Sequence, residues 1–232
     1  MSLWSRITEA LAALGNGESL ANVFDRLRAP PERSVAFAIA VIALGAKMAK
    51  ADGQVTRDEV TAFREVFQIA RNDEAGAARV FDMARTDIAG YQDYAARIQR
   101  MFASDPSTLC DLMEGLFHIA MADGFYHPNE NDFLQDVSRI FGQTPEQFRA
   151  LRARFVPDAP KDPYTVLGVS ADMPRDEIRK HWRRLVRDTH PDAMIGRGVP
   201  EEAVRLAEKR LIDINRAWDA INGCAKHAPG QL

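Results

Sequence analysis

Two groups of residues in this sequence have the types and spacing to do chemistry. The first is His190-Pro191-Asp192, an imidazole and a carboxylate separated by a proline. Pro191 steers His190 out of helical geometry, so the tripeptide is expected in an exposed turn with both side chains projecting. It is poorly equipped as a general acid/base pair, because a tip loop offers no pocket, no nucleophile and no third group to orient the ring. Recognition is the more economical use: a short, stiff loop offered to another protein. The second group is four carboxylates, Asp52 with Glu59 and Asp123 with Glu130, in two copies of Asp-Gly-x5-Glu offset by 71 residues. Asp52 and Asp123 fall near expected helix C-termini, where the helix dipole disfavours negative charge, so each asks for a compensating partner. A divalent cation would serve if the two copies face one another, since carboxylate oxygens are hard ligands. The local alternative is that Thr56-x-x-Glu59 is a capping box, that His127-Pro128 with Glu130 starts a helix, and that the Asp side chains accept loop amides.

The elements that must position these residues read as helices. From Arg175 to Thr189, Ile178, Trp182, Leu185 and Thr189 share one helical stripe, while Arg179, Lys180, Arg183, Arg184 and Arg187 project from the other side. From Glu201 to Ile221, Val204, Ala207, Leu211, Ile214, Trp218 and Ile221 repeat the seam, as a packed antiparallel partner would. His190-Pro191-Asp192 then sits at the tip of a helical hairpin. Upstream, Leu3 to Leu14 forms an amphipathic stripe that docks on its own domain or lies on a membrane surface. Ser34 can cap a helix running through Ala51 whose positions 35–44 are nearly all apolar or small, which places it at the centre of a bundle. A similar helix is expected from Ser107 through Ala122, with Leu109, Leu112, Leu116 and Ile119 in register. Both end in Asp-Gly, and two copies predict a pseudo-symmetric bundle, not a solenoid. The fold class is all-α.

Asp162-Pro163-Tyr164, Leu167-Gly168-Val169, Glu177-Ile178-Arg179-Lys180, Trp182-Arg183-Arg184-Leu185, His190-Pro191-Asp192 and Ile214-Asn215-Arg216-Ala217-Trp218 together resemble a J-domain, the signature unit of DnaJ-type cochaperones. The long segment from Gly196 to Glu202 is similar to the DjlA-like branch of that family. The doubled Asp-Gly-x5-Glu over roughly residues 30–150 resembles TerB-like domains. The resemblance implies a cochaperone that presses its tripeptide and basic helix onto a DnaK-type ATPase and accelerates ATP hydrolysis, and is not itself an enzyme. By position, His190, Pro191 and Asp192 are the trigger, with Arg179, Arg183, Arg184 and Arg187 as docking charges. Two departures from the family pattern stand out: Asp188-Thr189 where a basic-aromatic pair is common, and Trp182 where Tyr is common. The expected organisation is a helical segment over 1–29, a TerB-like domain over 30–155, a proline-rich linker over 156–161 that keeps its neighbours close with limited freedom, and a J-domain over 162–232. Neither a Gly/Phe-rich stretch nor a zinc module is expected, so client or site choice falls to the TerB-like domain. The rival reading makes that domain the working part, a metal-binding or interaction adaptor in stress response with a weakly active J-domain.

Bulk properties narrow the choice. With 46% hydrophobic and 27% charged residues the sequence is that of an ordinary globular protein. A net charge of −3 argues against nucleic acid, whose binding depends on an excess of cations. Cys110 and Cys224 form no Cys-x-x-Cys pair and suit a reducing compartment. The apolar run from Val35 to Ala46 is cut by Lys47 and Lys50, short of the roughly 20 residues a bilayer needs. Nothing in the first residues has the pattern of a secretory signal. These features predict a cytoplasmic protein, at most peripheral to a membrane, with no required cofactor and a divalent cation as the one candidate addition.

Overall fold

The most apolar run of the sequence forms α1, Glu32–Asp52, in which every residue from Val35 to Ala49 is buried. The computed structural model describes Ile7 and residues 32–52, 75, 78, 81–83, 90–156, 162–200 and 204–226, and among these every regular element is an α-helix. Ser34 lies inside the first turn of α1 and does not cap it, because the helix already begins at Glu32. Lys47, which interrupts the apolar run, is buried as well: its Nζ lies 5.1 Å from the centroid of the Tyr94 ring, where the quadrupole attracts a cation.

Among the described residues the N-terminal bundle also contains α2 (Tyr91–Met101), α3 (Pro106–Ala120), α4 (Pro128–Ile140) and α5 (Pro145–Phe155). α1 packs on α2, α3 and α4, as its burial on all sides requires. α3 starts where Asp105 accepts the Thr108 amide at 3.3 Å and the Thr108 hydroxyl at 2.9 Å, with Pro106 in the first turn where no amide is needed. Leu109, Leu112, Leu116 and Ile119 are buried, but so are their neighbours on every side of the helix. The Phe117 ring meets Tyr126, Phe148 and Phe155 at centroid distances of 6.0, 5.7 and 5.6 Å, tying α3 to α5.

Among the described residues the C-terminal unit contains α6 (Pro163–Leu167), α7 (Arg175–Thr189), α8 (Pro191–Gly196) and α9 (Arg205–Lys226). The Asp162 carboxylate caps α6 by accepting the Thr165 amide at 2.8 Å and its hydroxyl at 2.6 Å. Gly168, at φ +69°, ends the helix in the left-handed region that other residues resist. α6 lies against α5 and α9. Val166, Leu167, Ile178, Ile214, Ala217, Trp218 and Ile221 form a small core, over which Trp182 stacks on Trp218 at 5.1 Å and donates its indole N–H to Asn215 at 3.1 Å. The tryptophan that departs from the common tyrosine thus has a specific partner for its ring and its proton.

Asp162→Ala is expected to cost about 1 kcal/mol, the usual loss of an N-cap, read as a lower denaturation midpoint. Burial of Asp162 is the largest single influence and opposes ionisation, but hydrogen bonds from the Thr165 hydroxyl and the Thr165 and Tyr164 amides together outweigh it and hold the carboxyl below the usual range. A depressed folded pKa contributes stability at neutral pH that is lost as pH falls through that folded value. The difference between wild type and Asp162→Ala should therefore shrink in acid.

Candidate partner-binding site

His190 belongs to two helices at once. Its amide closes α7 on the Arg187 carbonyl at 3.3 Å, and its backbone, at φ −60° and ψ 136°, opens α8. Pro191 fills the first position of α8, where a missing amide costs nothing. The imidazole folds over this start: Nδ1 accepts the Asp192 amide at 3.2 Å, which leaves Nε2 as the ring's donor. The Asp192 carboxylate lies 3.7 Å from the same Nδ1. The His190 side chain is 58% exposed and that of Asp192 88%. The expected exposed turn is therefore a sharp helix-to-helix corner, fixed by caps on both sides. Thr189, just before it, is fully buried and serves as a packing residue.

Arg179, Lys180, Arg183, Arg184 and Arg187 are exposed along α7, leading up to this corner. Residues 179, 183 and 187 form one row at helical spacing, with 180 and 184 beside it. Arg184 turns back to His181 Nδ1 at 2.8 Å, while His181 Nε2 meets the Leu167 carbonyl at 3.0 Å. Burial, and then Arg184, lower the His181 pKa, so this ring stays neutral and serves as a brace. The site is a rigid corner with a donor and an acceptor at its tip and a cationic ridge beside it. It has the chemistry to bind an acidic protein surface.

The four bundle carboxylates are in different circumstances. Asp52 ends α1 and its side chain lies outside the described residues, as does all of Glu59. Asp123 stands in the turn after α3, where it accepts the Phe125 amide at 2.9 Å and meets His127 Nε2 at 3.2 Å. These contacts outweigh its slight burial and lower its pKa. Glu130 accepts the His127 amide at 3.0 Å at the start of α4. The partner that Asp123 needs is thus found within its own loop. Among the described residues no group of three or more Asp, Glu, His or Cys side chains is placed to hold a metal.

Residues 162–227 match the family described as DnaJ domain, and residues 38–153, half of the chain, match Tellurite resistance protein TerB. The chain belongs to the TerB family and carries a C-terminal DnaJ domain. It is similar to the Co-chaperone protein DjlA of Photobacterium profundum, 25% identical over 82% of this chain and 78% of that one. It is also similar to that of Coxiella burnetii, 28% identical over 75% and 72%. The Vibrio parahaemolyticus protein of the same name is 24% identical over 82% and 78%. No solved structure matches. Among the described residues no helix is long and apolar enough to cross a membrane.

The TerB and DnaJ domains meet through a buried charge cluster that the sequence reading missed. Asp111 accepts Arg197 at 2.8 Å and Arg210 at 2.9 Å, one guanidinium on each carboxylate oxygen. Glu114, three residues along α3, contacts Arg210 Nε and Arg154 Nη1, each at 3.1 Å, without hydrogen-bond alignment at either of its oxygens. Burial pushes the Glu114 carboxyl above its usual range despite both guanidiniums, whereas Glu114 and Asp111 hold Arg210 more firmly protonated than burial alone would allow. Around the charges, Met194, Val199 and Ala207 of the DnaJ domain are buried in the same apolar cluster as Leu112 and Phe117 of the TerB domain. Ala207, expected on the hairpin seam, thus faces the other domain, because α9 is long enough to serve two cores. The signal in the sequence was an Asp and a Glu on a helix with apolar residues on all its faces, which forces the carboxylates inside.

Proposed function

We propose that this chain accelerates ATP hydrolysis by a DnaK-type chaperone, presenting His190-Pro191-Asp192 and the cations of α7 to it, while the TerB domain selects the client or the site of action. The observation that carries this reading is the exposed, doubly capped corner at the end of an exposed row of five cations. The DjlA proteins it resembles are named co-chaperones, which agrees with an activity exerted on a partner. In this reading the chain breaks no bond itself and needs no cofactor. A divalent cation in the TerB domain has no part in it, and neither does nucleic acid. An ATP-consuming partner locates the work where ATP is, in the cytoplasm.

The test is a single-turnover ATPase assay with a DnaK-type chaperone preloaded with ATP. Wild-type protein is expected to raise the hydrolysis rate, and His190→Gln, which replaces the ring and its Nε2 donor, to abolish the increase. Raising the salt should weaken stimulation by wild type, because an exposed cationic ridge is screened within about 8–10 Å at physiological ionic strength. A wild-type protein that stimulates no better than His190→Gln would refute the proposal.

A further inference from the structure

The trigger corner is anchored at its far end by the other domain. From His190, α8 runs a single short helix of six residues, about 9 Å at 1.5 Å per residue. At its end the Arg197 amide bonds the Ala193 and Met194 carbonyls at 3.2 and 3.0 Å, and the Val199 amide bonds the Met194 carbonyl at 3.0 Å. The side chains of this knot point into the TerB domain. Met194 is 1% and Val199 2% exposed within the TerB core, and the Arg197 guanidinium reaches Asp111 Oδ2 at 2.8 Å and lies 3.9 Å from Asp105. Thr189 is buried on the other side of the corner. His190-Pro191-Asp192 therefore stands between two buried points, Thr189 at the end of α7 and the Arg197 contact to α3 of the TerB domain. A six-residue helix has too few hydrogen bonds to hold its orientation alone.

We propose that Arg197, through its ion pair with Asp111, is a positioning residue for the His190-Pro191-Asp192 trigger, so that the TerB domain sets the angle at which the trigger meets its partner. This rests on the cochaperone reading. The Arg197 guanidinium is engaged by Asp111 and Asp105 of the TerB domain, not by the tripeptide. Its loss should leave docking in place and impair what the docked trigger does. Misplacing a reacting group by about an ångström can lower a rate by up to about a hundredfold, and a loosened α8 is expected to lose roughly tenfold.

The experiment uses the full chain with Arg197→Ala and Arg197→Lys in the same single-turnover assay, as a function of cochaperone concentration. Arg197→Ala is expected to lower the saturating rate while leaving the half-saturating concentration within about twofold, since the five cations of α7 that steer docking are retained. Arg197→Lys should recover most of the saturating rate, because the contact to Asp111 is a single charged hydrogen bond that an ammonium can make. In parallel, hydrogen exchange at the Met194, Arg197 and Val199 amides should speed up in Arg197→Ala and return toward wild type in Arg197→Lys, with the TerB core amides of α3 unchanged as the control for folding. Three results would overturn the proposal: an unaltered saturating rate in Arg197→Ala, failure of lysine to rescue, or a lost rate with unaltered exchange in α8. A wild-type protein that does not stimulate at all removes the cochaperone reading itself, and the His190→Gln comparison identifies that case.

Discussion

Asp111→Ala is expected to lower the stability of the chain by about 3–5 kcal/mol, the cost of removing one partner from a buried ion pair. Two guanidiniums lose a hydrogen-bonded carboxylate at once, and Arg210 lies too deep for water to replace it. Denaturant unfolding should show a large fall in the midpoint. Glu114→Gln should be much milder. Glu114 is buried equally deeply, but Arg154 and Arg210 both meet its Oε1 without alignment, and burial already disfavours its charge. A carboxyl whose folded pKa is raised contributes stability that is full below its unfolded pKa of about 4.3 and is lost as pH rises through the folded value. Glu114→Gln should therefore compare worst with wild type in acid and better as pH rises through that folded value. Equal losses for the two variants at neutral pH would mean that burial of charge, and not hydrogen bonding, governs the cluster.

Phe117→Ala is expected to cost a further large amount, about 3–5 kcal/mol for truncating a buried aromatic ring. Three aromatic rings lie within 6.0 Å of it, and it is fully buried, so the cavity cannot refill cheaply. The more telling measurement is where the loss appears. Trp182 and Trp218 lie in the DnaJ domain, and in a Trp4→Phe background they are the only indoles. If the shared cluster of Met194, Val199, Ala207 and Phe117 couples the two domains, tryptophan fluorescence and far-UV circular dichroism will report one coincident transition, and Phe117→Ala will shift both. A fluorescence transition that stays in place while the helical signal moves would show two independent domains.

Much of the site can be read from the sequence because it is local. A proline fixes the backbone before it, and apolar spacing fixes which face of α7 is wet, so the corner and its ridge of cations are legible from Ile178, Trp182, Leu185 and Pro191 alone. The all-helical class follows from the same periodicity. The caps at Asp105 and Asp162 are less visible, since an Asp-Pro pair reads as a turn as readily as a helix start. Of the interface, only the buried Asp and Glu of α3 are legible, and not what they meet. Asp111 and Arg197 are 86 residues apart in the chain, and periodicity within one helix cannot say which arginine will meet a buried carboxylate. The same limit affects Ala207: its spacing places it on a seam, but only the tertiary structure shows that the seam divides between two cores. Asp123 shows the converse. Its position near a helix end calls for a partner, and its own loop supplies one in His127 and the Phe125 amide.

The apolar cluster that holds Ile7 also holds Ala207. A chain made from its N-terminus cannot close that cluster until almost all of it has been synthesised, and Asp111 and Glu114 must wait for Arg197 and Arg210 before they can be buried without loss. The TerB domain and the trigger corner therefore reach their final form together and late. An incomplete nascent chain has no fixed His190-Pro191-Asp192 corner.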